Sequence, residues 1–481
     1  MPRPAATAPY VYRRTDDEGP RARRRRVLRE RRRKAAVVSG VVALMIGSAP
    51  VVGSLLHGDP EGHGRGGGTV SGERRSAPHS SGSAQGEALY PQGSQGYVGV
   101  PFGSLRRAHY RGAVIRPSGE QADLNGAVVA YYRQWQAAFV RQRLCGQDWS
   151  AVVSPDADLP YVGEAQGWGL VITALMAGAD PNAQQQFDAI LRYVMAHPSS
   201  IDSDLHAAEQ NERCESVNGS DSAADADLDI AYGLLLAHEQ WGGTTYLDLA
   251  RRRIEAIKRS IIDPESHLVR AGDWARDGDD DVSRISRSSD WMLGHFRAFR
   301  AVTGDQFWDV VLDAHLSLIT RLQAEYSPGT GLLPDFVTHI HRTPRPADGE
   351  ILESENDGRF SWNACRDPWR IGTDAVLSGD PRSVAAAAHL NTFARTTTRD
   401  EPTRIRAGYS LDGRPLVDYS EPAFVVPFAV PAMLDRNGQH WIDAEWRYLT
   451  STPIKQDSYY PATITLQVML VLTGNWWTPG V

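Results

Sequence analysis

From Asp123 onward, apolar residues recur at three- and four-residue spacing in segment after segment, each closed by Gly, Pro, Asp or Ser. That spacing lines up one face of a helix, and each such face must be buried against another element. The pattern predicts about twelve helices, near 123–142, 164–178, 182–196, 225–240, 244–261, 287–302, 305–325, 366–378, 382–396, 422–435, 440–449 and 461–473. Short connections alternate with long ones at 197–224, 262–286 and 327–365, and long ordered loops tend to carry function. The chain shows no fixed repeat of about 30–45 residues, which counts against a solenoid. The expectation is an all-α domain, with two concentric rings of six helices or an irregular bundle both compatible with the periodicity.

The front of the chain has a different character. Residues 1–34 hold 13 Lys and Arg against 4 Asp and Glu, so the remaining 447 residues carry a net charge of −16. An acidic body is a poor partner for nucleic acid, because phosphate binding needs a positive surface. Behind the basic block come 22 uncharged residues, Ala35–Leu56, long enough to span a bilayer although Gly40, Gly47, Pro50 and Gly53 dilute their hydrophobicity. The positive-inside rule keeps the basic flank in the cytoplasm and sends the chain beyond Leu56 outside. The expected organisation is a basic N-region at 1–34, a signal peptide or signal anchor at 35–56, a Gly/Ser-rich linker at 57–110 and a helical domain at 111–481. This predicts an extracellular protein, secreted or held to the membrane.

Cys145, Cys214 and Cys365 lie far apart and match no zinc spacing. At most one disulfide can form, and the sequence does not choose the pair. His339-Ile-His341 offers two rings on one side of an extended stretch without a third ligand, so neither metal nor cofactor is expected.

Three segments carry the chemistry. In Tyr161-Val-Gly-Glu-Ala-Gln-Gly-Trp-Gly169, Glu164 stands where loop becomes helix, and glycines beside it leave room for a close approach. Taken alone, a Glu in a first helical turn is commonly only a dipole partner. In Ser222-Ala-Ala-Asp-Ala-Asp-Leu-Asp229, Asp227 shares a face with Ile230, Ala231 and Leu234, so it points with the apolar stripe and needs a partner or a role. Asp225 reads as the acid of a capping box begun by Ser222, and Asp229 as solvated. The third segment, 351–374, gathers Glu353, Glu355, Asp357, Trp362, Trp369, Arg366 and Arg370. Separated carboxylates with aromatic platforms, and no Ser/His or Cys/His set, point to acid/base hydrolysis of a glycoside.

Together these segments resemble glycoside hydrolase family 8, the inverting endo-glycanases that include cellulases, lichenases, chitosanases and some xylanases. Ala223-Ala-Asp-Ala-Asp-Leu-Asp-Ile-Ala231 is similar to the family signature, with Ala224 in the place of a Ser or Thr. Gly163–Gly169 and Asn363-Ala-Cys-Arg-Asp-Pro-Trp-Arg370 resemble two further family segments, and the likeness, which takes in Cys145, Ser288–Met292 and Trp241-Gly242, spans about 110–475. It implies an (α/α)6 barrel. It also implies Glu164 as general acid and one of Asp225 and Asp227 as the group that holds the distorted sugar. Trp168, Tyr232, Asp290, Trp362, Asn363, Arg366 and Trp369 become the implied substrate contacts.

Many members place an Asp base just before Ala-Cys/Ser-Arg. Here Asn363 stands there, and an amide cannot take a proton from water. That departure matches the chitosanase and lichenase branch, in which a loop glutamate serves; Glu353 fits best, Glu355 is the reserve, and Asp290 is the next candidate. The acidic body mildly favours cationic chitosan over a neutral β-glucan. The expected protein is a monomeric, polysaccharide-cleaving enzyme. Two alternatives are a tethered glycan-binding protein on the same barrel and a polysaccharide lyase, for which no Tyr, His or Lys base cluster is evident.

Overall fold

The computed structural model describes residues 98–480 apart from 106–109, 112–113, 156, 158 and 278–280. The basic N-region, the uncharged stretch and most of the linker lie outside the described residues. The helices are α1 Gln121–Phe139, α2 Gly163–Leu175, α3 Ala183–Ala196, α4 Ala224–Trp241, α5 Thr244–Ser260, α6 Leu293–Thr303, α7 Phe307–Glu325, α8 Asp367–Ser378, α9 Pro381–Thr398, the short α10 Pro422–Val425 and α11 Ala429–Ala432, α12 Gln439–Ser451 and α13 Tyr459–Leu472.

Their packing closes a ring. Helix α2 packs on α4, α4 on α6, α6 on α8, α8 on α11, α11 on α13, and α13 returns to α2. Each has an outer partner: α3 on α2, α5 on α4, α7 on α6, α9 on α8, α12 on α11 and α1 on α13. Two rings of six are the arrangement expected of an (α/α)6 barrel.

Composition explains which ring a helix joins. Every residue of α2 is buried, as is α13 from Ala462 to Leu472, because an inner helix meets neighbours on all sides. Outer α5 buries Tyr246, Leu249, Ala250, Ile254 and Ile257 and leaves Arg251, Arg252 and Glu255 exposed. Each fully buried Leu or Ile contributes about 1.5–3 kcal/mol, and both rings supply such residues. The glycines of α2 admit α4 itself: a Cβ on Gly167 would stand 2.9 Å from Cβ of Asp229, and one on Gly163 2.8 Å from Cβ of Ala226.

Two of the expected helices differ. The segment near 422–435 is broken into α10, a 3-10 turn at Val426–Phe428 and α11, since Pro427 and Pro431 lack the amide a continuous helix needs. The helix expected near 287 starts only at Leu293. Ser286–Arg287 is instead a strand paired with Phe336–Thr338, which also pairs with Arg345–Pro346, and Ser288–Asp290 is a 3-10 turn. Two further antiparallel pairs, Val140–Gln142 with Ser150–Val152 and Tyr161–Val162 with Glu209–Gln210, stiffen other loops. Cys145 is disulfide-bonded to Cys214, tying the first hairpin to the 197–224 loop, and Cys365 is a buried free thiol.

Candidate active site

Glu164 and Asp225 each occupy the second position of an inner helix, α2 and α4, and both are buried. One guanidinium joins them. Arg366, just before α8 and almost fully enclosed, donates from Nη1 to Glu164 Oε2 at 2.6 Å and to Asp225 Oδ2 at 3.3 Å. Its Nη2 donates to Ser289 Oγ at 2.7 Å and to Asn363 Oδ1 at 3.2 Å. The Asn363 amide then donates from Nδ2 to Glu353 Oε2 at 2.9 Å. Acidic groups far apart in the chain therefore sit at the two ends of an Arg366–Asn363 bridge. Glu353 is buried whereas Glu355 is exposed.

A second guanidinium supports the first. Arg287 reaches Asp225 Oδ2 from Nη2 at 2.8 Å and both oxygens of Asp290 from Nε at 2.9 and 3.1 Å. Four carboxyl groups, of Glu164, Asp225, Asp290 and Glu353, thus gather around two arginines. Burial pushes Asp290 up to about 7 against the pull of Arg287. The Tyr459 hydroxyl lies 3.4 Å from Glu164 Oε1. The Arg366 guanidinium lies 5.8 Å from the centre of the Tyr460 ring.

The structure redistributes several expected roles. Asp227 is fully buried and stands apart from this bridge: it pairs with Arg253 of α5 and accepts the His206 N–H at 3.0 Å. Its alignment with the apolar stripe reflects an ion pair between α4 and α5. Asp225 is no capping acid, because Ser222 Oγ accepts the Asp273 N–H and Asp225 engages both arginines. Asp229 is buried, bound to Arg370 at 2.7 Å and His295 at 2.8 Å. Asp290, expected against substrate, is wholly enclosed and pairs with Arg287.

Trp168, Trp369 and Tyr232 are expected against substrate, yet none exposes more than 1% of its surface. Trp168 packs beneath the rings of Tyr459 and Tyr460, Trp369 lies edge-on to Trp168 under the Arg370 guanidinium, and the Tyr232 hydroxyl donates to the Trp477 carbonyl. Inner-ring helices enclose aromatic side chains at turns where sequence alone cannot distinguish cleft from core. Trp362, at 38% exposure, does reach solvent, braced edge-on by Phe424 at 5.0 Å. Sequence reasoning gave no role to Arg287, Ser289, Tyr459 or Asp335; Ser289 lies within the Ser288–Met292 segment already noted and Arg287 adjoins it, while the others carried no local signal.

Among the described residues, no group of His, Cys, Asp and Glu is arranged to hold a metal ion.

The model of the glycosyl hydrolases family 8 matches residues 125–474. The chain belongs to that family. This family 8 glycoside hydrolase is 37% identical to a β-glucanase of Niallia circulans over 77% of its own length and 90% of the relative's. It is 35% identical to an endoglucanase of Bacillus sp. strain KSM-330, covering 78% and 81% of the two chains. Among solved structures it is similar to the apo β-1,3-1,4-glucanase of Paenibacillus sp. X4, with a TM-score of 0.74, 38% identity, and coverage of 79% of this chain and 99% of that one.

Proposed function

We propose that this hydrolase cleaves a β-1,4 bond within a β-glucan chain, with mixed β-1,3-1,4-glucan as its first substrate, and inverts the anomeric carbon. The observation that carries the reading is the Arg366–Asn363 bridge between Glu164 and Glu353, supported by the names of the glucanase relatives. With Glu164 Oε2 bound to Arg366, Oε1 bears the proton that passes to the glycosidic oxygen as its bond to C1 breaks. Glu353 takes a proton from a water on the opposite face of the sugar, and that water's oxygen forms the new bond to C1. Solvent exchange then returns a proton to Glu164 and removes one from Glu353. Asp225, fixed by Arg287 and Arg366, holds the sugar in its distorted shape, and exposed Trp362 supplies an apolar face for a neighbouring ring.

The test is proton NMR of the first products from mixed-linkage β-glucan, with Glu164→Gln alongside. The expected product is the α-anomer, and the variant should keep binding while kcat falls by roughly 10²–10⁴-fold. A β-anomer, or near wild-type turnover in the variant, rejects the scheme. Chitosan is the second reading, favoured by the surplus negative charge of the site; faster hydrolysis of chitosan than of β-glucan, lichenan, carboxymethylcellulose or xylan would promote it.

We further propose that the protein works outside the cell as a monomer, delivered by the basic block and the uncharged 35–56 segment, a setting that suits the Cys145–Cys214 disulfide. Fractionation and N-terminal sequencing distinguish an anchored form from one cleaved after about residue 56.

A further inference from the structure

The 327–362 loop must deliver Glu353 accurately from outside the helical rings, and its fixing point is a second, wholly buried carboxylate. Asp357 is met by backbone: its Oδ2 accepts the N–H groups of Ile351 at 2.9 Å, Leu352 at 2.8 Å and Glu353 at 3.0 Å, and its Oδ1 accepts that of Ser354 at 2.8 Å. Four successive amides converging on one carboxylate form a nest of charge-assisted bonds, and they fix the backbone that aims the Glu353 side chain. The nest is itself anchored. Leu352 packs with Ala271, Ile285, Phe336 and Ala347. The Asp357 carbonyl accepts the Phe336 N–H at 2.7 Å. Gly358 passes so close to Ala347 that a Cβ would stand 1.9 Å from that residue's carbonyl oxygen.

Asp335 does the same for the partner amide. Its Oδ1 accepts N–H groups from Ser361 at 2.9 Å, Asn363 at 3.2 Å and Ala364 at 2.7 Å. The two nests meet where Asn363 Nδ2 donates to Glu353 Oε2.

We propose that Asp357, with Asp335 as its counterpart, is a positioning residue for the hydrolytic water: it touches no substrate and acts by holding Glu353 at its working place. The inference rests on the reading of Glu353 as the base. Displacing a catalytic group by about 1 Å can cost roughly 10²-fold in rate, which is the effect to look for.

The test uses the full chain with Asp357→Asn, Asp357→Ala, Glu353→Ala and the double variant Asp357→Asn/Glu353→Ala. Each is assayed on mixed-linkage β-glucan below its melting temperature, with and without azide. Asn keeps one acceptor oxygen but turns an NH2 group toward an N–H donor, so it perturbs the nest while sparing the rest of the loop; it carries the measurement if Asp357→Ala does not fold. The expected result for Asp357→Asn is a kcat lower by roughly 10–10²-fold with KM changed less than about twofold. Azide should restore part of the rate by attacking C1 in place of water, giving an α-glycosyl azide while Glu164 protonates the leaving oxygen. The double variant should be no slower than Glu353→Ala, since a misplaced base and a missing base are the same loss. A merely structural Asp357 would lower the melting temperature and leave kcat, azide response and the cycle unaffected. Wild-type kcat in Asp357→Asn beside an inactive Glu353→Ala overturns this proposal alone, as does an additive loss in the double variant. A fully active Glu353→Ala overturns the base assignment and this proposal with it.

Discussion

Asp225 and Asp227 stand two residues apart on the same helix, and their different surroundings make them a direct test of the site. Asp227 and Arg253 are both buried and bonded to each other. Converting Asp227 to Asn keeps an acceptor for the His206 N–H but leaves the Arg253 guanidinium without its counter-charge. Breaking one side of a buried ion pair costs about 3–5 kcal/mol. Large domains shift by roughly 2–4 °C per kcal/mol, so Asp227→Asn should melt about 6–20 °C below the wild type. Turnover per folded molecule at 25 °C should change little, because neither partner of the pair belongs to the Arg366–Asn363 bridge. Replacing both residues by apolar ones, Asp227→Leu with Arg253→Met, should recover much of the loss, since it removes the stranded charge. Asp225→Asn should do the reverse: a large fall in kcat with a small change in melting, its partners Arg287 and Arg366 retaining other carboxylates. The assay pairs a thermal melt followed by circular dichroism with initial rates on β-glucan. Wild-type melting together with a loss of several orders of magnitude in Asp227→Asn would refute the reasoning and return Asp227 to the site.

Two further outcomes concern groups buried elsewhere. His315 is enclosed with Nδ1 against the Val311 carbonyl at 2.7 Å and Nε2 accepting the Val269 N–H at 3.2 Å, and burial holds it down to about 4. A folded value below the unfolded one means its stabilising contribution is complete above about pH 6.5 and is lost as pH falls through about 4. Melting temperature should therefore drop across that range, less steeply in His315→Gln, and parallel profiles would exclude His315 as the cause. The Cys145–Cys214 bond closes a loop of 69 residues, for which chain entropy gives about 4 kcal/mol; Cys145→Ser should lower the melting temperature, and an unchanged melt would show the bond contributes nothing.

The helical domain was largely legible in the chain because its signals are local. Apolar spacing identifies most helices from their own residues, although the segment near 422–435, read as one helix, breaks at Pro427 and Pro431. Glu164, Asp225, Glu353, Asn363 and Arg366 lie in segments whose residue types announce chemistry. The burial of three aromatics expected against substrate has one cause: Trp168, Trp369 and Tyr232 belong to inner helices buried on every side, where no solvent-facing stripe separates core from cleft.

The amino-acid sequence by itself determined the helical character of the domain, the separation of basic front from acidic body, and the set of carboxylates from which a site could be built. Tertiary structure alone decided which carboxylates meet. Asp225 and Asp227 differ by a turn of about 200° around the same helix, so one reaches Arg366 and the other Arg253. Only the closing of the inner ring, α13 against α2, brings Tyr459 to Glu164 across 295 residues. The Cys145–Cys214 pairing and the Asp357 nest are likewise decided by distance in space, a quantity that no local pattern of residues carries.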